Sequence, residues 1–169
     1  DFSGVYTPEE LSKATWTPIS GNEYGHLPMP MATAASAAET SGTVDLSLFT
    51  NINKNFYVAF QYNAEGRDAI PESNGNNKYT NRPRVDITNL KMQKTTTDGQ
   101  VIDITDAIKE WAFRPIYQQS STMTNYQVSD NSLLFQPQKA TLNAEGKEPN
   151  EVVWMVSQNI NPRSVEPDR

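Results

Sequence analysis

FYVAFQYNAEGRDAIPESNGNNKYTNRPRVDITNLKMQ, residues 56–93, joins two strand-like segments through a polar run from Asn63 to Pro83. In the first segment Phe56, Val58, Phe60 and Tyr62 alternate with Tyr57, Ala59 and Gln61. A pleated strand sends successive side chains to opposite faces. One face is then wholly apolar and the other mostly so, which predicts a central strand covered on both sides. In the second segment, RVDITNLKMQ, Val85 and Ile87 share a parity that Leu90 and Met92 do not. A β-bulge near Thr88–Asn89 would return all four to one core, because an extra residue flips every later side chain. We therefore expect a bulged strand there, paired with the first. A link as long as 63–83 is uncommon in a compact domain unless it is used.

Outward from this stretch, the chain reads as short strands joined by turns. Thr7, Pro8 and Glu10 in TPEELSKAT have the spacing of a helix cap, a first helical position and a capping-box partner, predicting a short helix over residues 7–14. TWTPIS reads as a short edge strand interrupted by Pro18. Residues 21–42, including ATAASAAE, lack an apolar stripe and read as irregular. TVDLSLF gives a strand or a tight turn. Asp98-Gly99 marks a two-residue hairpin within TTTDGQVIDI. In TDAIKEWA, Thr105 or Asp106 is placed to cap one helical turn over 105–112 that buries Ile108 and Trp111. Residues 114–131 form a polar run, and SLLFQPQ and VVWMVSQNI are two further strands, separated by the turn NAEGKEPN.

The 169 residues suffice for one domain with a core. Apolar residues are 36% of the chain and mean hydropathy is −0.65. With plentiful Gly, Pro, Asn, Ser and Thr, this favours many short strands joined by turns, an all-β chain, over a helical bundle. The formal charge is −6 and the cations are scattered. Nucleic acid is not an expected partner, since binding a polyanion requires clustered Lys and Arg. There is no cysteine, hence no thiol nucleophile and no Cys-based metal site. No run approaches the roughly 18 apolar residues of a membrane span.

Catalytic chemistry finds little support. His26, the single histidine, has no G-x-S-x-G serine to activate and no second imidazole to share a metal. It reads as a loop residue beside Tyr24. Carboxylates that could serve a hydrolase in pairs are abundant, but most have plainer uses: Asp98 in a turn, Asp106 at a cap, Asp130 before a strand. No cofactor is expected. A structural calcium held by the segment Asp98–Asp106, or near Asp1, is the alternative, although the spaced Asp-x-Asp-x-Asp-Gly loop is missing.

Glycan binding needs aromatic rings for the apolar face of a sugar and amide, carboxylate or guanidinium groups for its hydroxyls. Trp111 and Trp154 read as core, and Trp16 is evenly balanced between core and surface. The tyrosines in polar segments are the better exposed candidates. The ligand-binding residues expected from sequence are Arg67, Asn77, Tyr79 and Arg82 from the long loop, with Tyr117 and Tyr126 from the later polar run. A solvated loop without a ligand is the plainer reading of the same residues.

DFSGVYTPEELSKATWTPIS, SGTVDLSLF, FYVAFQY, RPRVDITNLKM and EVVWMVSQNINPRSVEPDR, in that order, resemble a Bacteroidetes cell-surface lipoprotein domain of unknown function. That domain is similar to the choice-of-anchor J and cleaved-adhesin domains. The resemblance implies a jelly-roll β-sandwich of the galactose-binding type, displayed at the outer membrane through a lipid anchor outside this segment. It carries no catalytic residues. It departs from the pattern in its longer 63–83 link and in its ends, which suggest one domain over 1–169 lacking a strand region at each terminus. The expected function is non-catalytic capture of a polysaccharide for a starch-utilisation-type importer complex. The alternative is a structural or protein-interaction domain of a surface lipoprotein or adhesin assembly.

Overall fold

A computed structural model describes residues 6–19, 38, 40–51, 53–79, 82–119, 125–138 and 145–163. Tyr24, His26, Asp1 and the ATAASAAE segment apart from Ala38 lie outside the described residues. In chain order the elements are helix α1 (Pro8–Lys13), a 3-10 turn (Leu46–Leu48), β1 (Ala59–Ala64), β2 (Ile70–Pro71), β3 (Asn77–Lys78), β4 (Val85–Thr88), β5 (Met92–Thr95), β6 (Val101–Thr105), a second 3-10 turn (Ile108–Trp111), β7 (Arg114–Gln119), β8 (Tyr126–Val128), β9 (Ser132–Phe135) and β10 (Glu151–Val156).

Two three-stranded antiparallel sheets, β1-β10-β7 and β4-β9-β8, make the sandwich. Its core joins Phe60, Tyr62, Val153 and Met155 of the first sheet, with Phe56 and Val58 leading into β1, to Val85, Ile87, Leu133 and Phe135 of the second. The fold is thus the expected all-β sandwich with short helical turns. Its strand pairing is not the expected one. β1 pairs with β10, from Ala59 opposite Val156 to Ala64 opposite Glu151, and β4 pairs with β9 in the other sheet. The central strand of the first sheet is β10, while β1 has no partner on its second edge among the described residues. FYVAFQY misleads because burial on both faces measures what covers a strand, not how many ladders it joins. Helix α1 and its flanks cover the outer face, where Leu11, Ile116 and Val156 form a second apolar cluster with Tyr57 and Ala59 packed on it.

The expected bulge is instead a break. Asn89 takes a left-handed backbone (φ 55°), and the chain passes from β4 in the sandwich to β5, which pairs with β6 in a separate ribbon. Val85, Ile87, Leu90 and Met92 all reach the core, as the parity shift requires. The β5-β6 hairpin forms where Asp98-Gly99 places it, but with a longer loop. Thr96 N–H donates to Gln100 O at 2.9 Å and Gly99 N–H to Thr96 O at 3.0 Å. Gly99 has φ 85°, so the hairpin is a type I turn followed by a left-handed glycine.

The α1 capping box is present: Glu10 N–H donates to Thr7 Oγ1 at 3.2 Å, and Thr7 N–H to Glu10 Oε2 at 3.0 Å. At the second 3-10 turn neither Thr105 nor Asp106 caps by its side chain. Thr105 ends β6, Asp106 pairs with Lys91 at 2.7 Å, and the Glu110 carboxylate accepts the Asp106 and Ala107 N–H groups. Ile108 and Trp111 are buried as expected. Residues 15–19 are not a strand, TVDLSLF supplies the first 3-10 turn, and the polar run 114–131 contains β7 and β8. Gln and Ser hid those two strands, because among the described side chains only Ile116 in β7 and Tyr126 in β8 are buried. Among the described residues no helix is long and apolar enough to cross a membrane.

Candidate functional site

Glu151 begins β10 on the same parity as Val153 and Met155, so its side chain enters the sandwich, where it is fully buried. A carboxylate there must be met by donors, since an unpaired buried charge is prohibitively costly. Tyr126 O–H donates to Glu151 Oε2 at 3.1 Å and the Gln138 N–H at 2.7 Å, and Arg82 Nη2 lies 3.2 Å away. Arg82 is itself buried. It donates through Nη1 to Pro149 O at 2.7 Å and through Nη2 to Gln138 O, and its Nε faces Glu148 Oε2 at 3.5 Å. One guanidinium therefore ties the end of the long loop to β10, to the residues before it and to those after β9. Burial raises the Tyr126 phenol well above its ordinary range, with the neighbouring Glu151 charge adding to the effect. Tyr62 is raised chiefly by burial as well, and its O–H donates to Pro83 O.

Above this ionic floor runs a cleft of about 290 Å³. One wall is β1 and its extension from Gln61 to Arg67, and the other is Arg82, Pro83 and Val85. The long loop follows a defined path. Gly66 N–H donates to Asn150 Oδ1 at 2.6 Å and Glu148 N–H to Arg67 O at 2.7 Å. Asp68 bridges Lys147, and Tyr79 O–H donates to Gly146 O at 3.3 Å. Gly66 is needed because a Cβ there would lie 2.1 Å from Glu148 O. Beyond these anchors, β2 and β3 form a small ribbon whose turn, Glu72–Asn76, has Gly75 at φ 83°.

The residues expected to bind ligand divide into three groups. Arg67 is exposed on the cleft wall, and Asn77 lies half-buried in β3. Tyr79, Tyr126 and Arg82 are buried at 4%, 2% and 9% exposure, which corrects the expectation that they stand free in polar loops. Tyr117 is half-buried in β7 and donates its O–H to Tyr126 O at 3.1 Å. The loop returns across the sandwich end instead of projecting from it, so its larger side chains become internal. Sequence reading missed Glu148 and Glu151. An acid on the inward parity of EVVWMV was the available signal, because such a position demands a buried partner.

Trp111 is core, stacked on Phe113 at 5.6 Å. Trp154, expected in the core, is instead half-buried on the outer face of the first sheet, with its ring 5.2 Å from that of Trp16. The acids suggested for calcium are engaged separately: Asp98 by Thr96 Oγ1, Asp103 by Gln93 Nε2 at 2.9 Å and Asp106 by Lys91.

A family model described as a domain of unknown function (DUF5017) matches residues 1–113. The chain belongs to that family. The DUF5017 match takes in α1, β1–β6, the second 3-10 turn and Arg82, while Tyr126, Glu148 and Glu151 come from the portion after it. No curated protein and no solved structure matches the chain.

Proposed function

We propose that this DUF5017 chain is a non-catalytic glycan-binding module whose ligand lies along the β1 cleft. The observation that carries the reading is the cleft wall. Gln61, Asn63, Glu65 and Arg67 provide amide, carboxylate and guanidinium groups on a strand edge whose backbone is held by its ladder to β10. Such groups match sugar hydroxyls, and a rigid support lowers the entropy lost on binding. A few hydrogen bonds and ring contacts, each netting about 1 kcal/mol, give a Kd between roughly 1 μM and 1 mM. Hydrolysis would require two facing carboxylates. Glu65 is the acid on the cleft wall among the described residues, and Glu148 and Glu151 are buried against Arg82. From the lipoprotein resemblance we carry forward display at the outer membrane of a Bacteroidetes cell and delivery of polysaccharide to an importer complex.

A second reading follows from the same edge. β1 has no ladder partner beside the cleft among the described residues, so an extended polypeptide could add there as a strand, in a protein-interaction role. Affinity electrophoresis of the whole chain through gels containing a panel of polysaccharides separates the two. Retardation that is lost in Asn63→Ala/Arg67→Ala, with the far-UV spectrum unchanged, supports glycan binding. Migration unchanged in every gel overturns it and leaves the strand-addition reading.

A further inference from the structure

We propose that Trp154 and Trp16 form a stacking subsite for a neutral pyranose on the outer face of the first sheet, contiguous with the β1 cleft. This inference rests on the glycan-binding reading and extends it to a class of ligand. Trp154 points to the outer face of β10, and its ring lies 5.2 Å from Trp16 at a 43° tilt. Both indole N–H groups are satisfied within the protein: Trp154 Nε1 donates to Gln118 Oε1 at 2.9 Å and Trp16 Nε1 to Leu11 O at 3.2 Å. These bonds fix the ring planes, and the part of each half-buried ring that is not packed on the Leu11, Ile116 and Val156 cluster is left to a ligand. A preset aromatic surface of this kind loses little freedom when a flat apolar partner settles on it.

The surroundings select that partner. Gln61 stands directly across the ladder from Trp154, Asn63 across from Val152, and Gln61, Asn63 and Gln118 are all exposed. These positions carry amides and an aliphatic group, with no formal charge. An aromatic ring beside neutral amides suits a pyranose, whose C–H face stacks while its hydroxyls exchange hydrogen bonds with the amides. A uronic acid or sulfated sugar would meet no unengaged cation there among the described residues. Arg114, on the same face of β7, is engaged over the Tyr6 ring at 4.4 Å. Gln61 also lines the cleft, so it joins the two regions.

The test uses the whole chain, with malto-, cello-, xylo- and manno-oligosaccharides and polygalacturonate as probes. Calorimetry measures binding while tryptophan emission reports the subsite, because Trp111, at 3% exposure, is shielded from ligand. A neutral oligosaccharide is expected to bind and shift the emission, and Trp16→Ala is expected to weaken it about tenfold, as for loss of one stacked ring. If Trp16→Ala misfolds, Gln118→Ala and the wild-type emission still decide the matter. Binding by the wild type with unchanged emission, and with unchanged affinity in the folded variants, overturns the subsite and leaves the cleft reading in place. Preferential binding of polygalacturonate overturns the neutral-sugar assignment. Absence of binding to every probe overturns the subsite and the glycan reading together.

Discussion

The two ends of the sandwich are closed by different chemistry. At the Phe56–Ile160 end, Ile108, Trp111 and Phe113 form an apolar plug, fastened by Gln158 N–H donating to Trp111 O at 2.8 Å. At the Ala64–Glu151 end the plug is ionic, with Arg82 among Glu148, Glu151 and Tyr126. The apolar plug is built from residues within one short segment. The ionic plug is drawn from β8, β10, the residues around Gln138 and the end of the long loop. Hydrophobic closure tolerates changes of shape within limits, whereas a buried charge cluster holds only while every member is present.

The sharpest way to break the contrast is to remove the shared cation. Arg82→Met should cost about 3–5 kcal/mol, because it leaves two carboxylates buried without their counter-charge. Arg67→Ala, on the exposed cleft wall of the same loop, should lower the urea midpoint far less. Equal midpoints for the two variants would show that the ionic end carries no stability.

Glycines sharpen the same comparison. Gly66→Ala drives a methyl group against Glu148 O and should cost about 3 kcal/mol or more as the loop is forced off its anchor. Gly75→Ala meets open space and suffers only its left-handed backbone, about 1–2 kcal/mol. Thermal melts of the pair should rank them in that order.

Titration separates the ends without changing the protein's size. The Tyr126 phenol ionises at higher pH in the folded chain than near 10 in the unfolded one. Its contribution is therefore intact below about pH 10 and is lost as pH climbs towards the folded value. Stability measured between pH 9 and 11.5 should fall, and Tyr126→Phe should flatten that fall while costing about 1.5–3 kcal/mol at neutral pH through the lost bond to the Glu151 carboxylate. An unaltered alkaline slope in the variant would remove Tyr126 from the account.

The smallest effect should have the opposite sign. Thr105, at the end of β6, buries a hydroxyl that has no hydrogen-bond partner among the described residues. Thr105→Val keeps the shape, removes the unsatisfied group and should raise stability by about 1 kcal/mol in the same melts.

The contrast also explains what could be read from the chain. The α1 cap, the Asp98-Gly99 hairpin and the burial of Ile108 and Trp111 depend on residues close in sequence, and all three were legible. The parity shift between Ile87 and Leu90 was legible too, although the device behind it is a strand break at Asn89 and not a bulge. The pairing of β1 with β10 was not, because two apolar strands advertise burial without naming a partner. The ionic end was least legible. Arg82 and Glu151 lie 69 positions apart, and composition offers many equivalent acids. Polar surroundings in sequence suggested exposure for Tyr79 and Tyr126, whereas the folded loop encloses both.

The Glu72–Asn76 turn hangs outside all of these attachments. Upstream of it, β1 is zipped to β10 and Arg67 is tied to Glu148; downstream, Arg82 holds the chain from the other side. A single nick in that turn would therefore leave two polypeptides clasped as one particle. The turn is a natural split point, where a reporter or a second domain could be inserted, or where two halves expressed apart could reassemble.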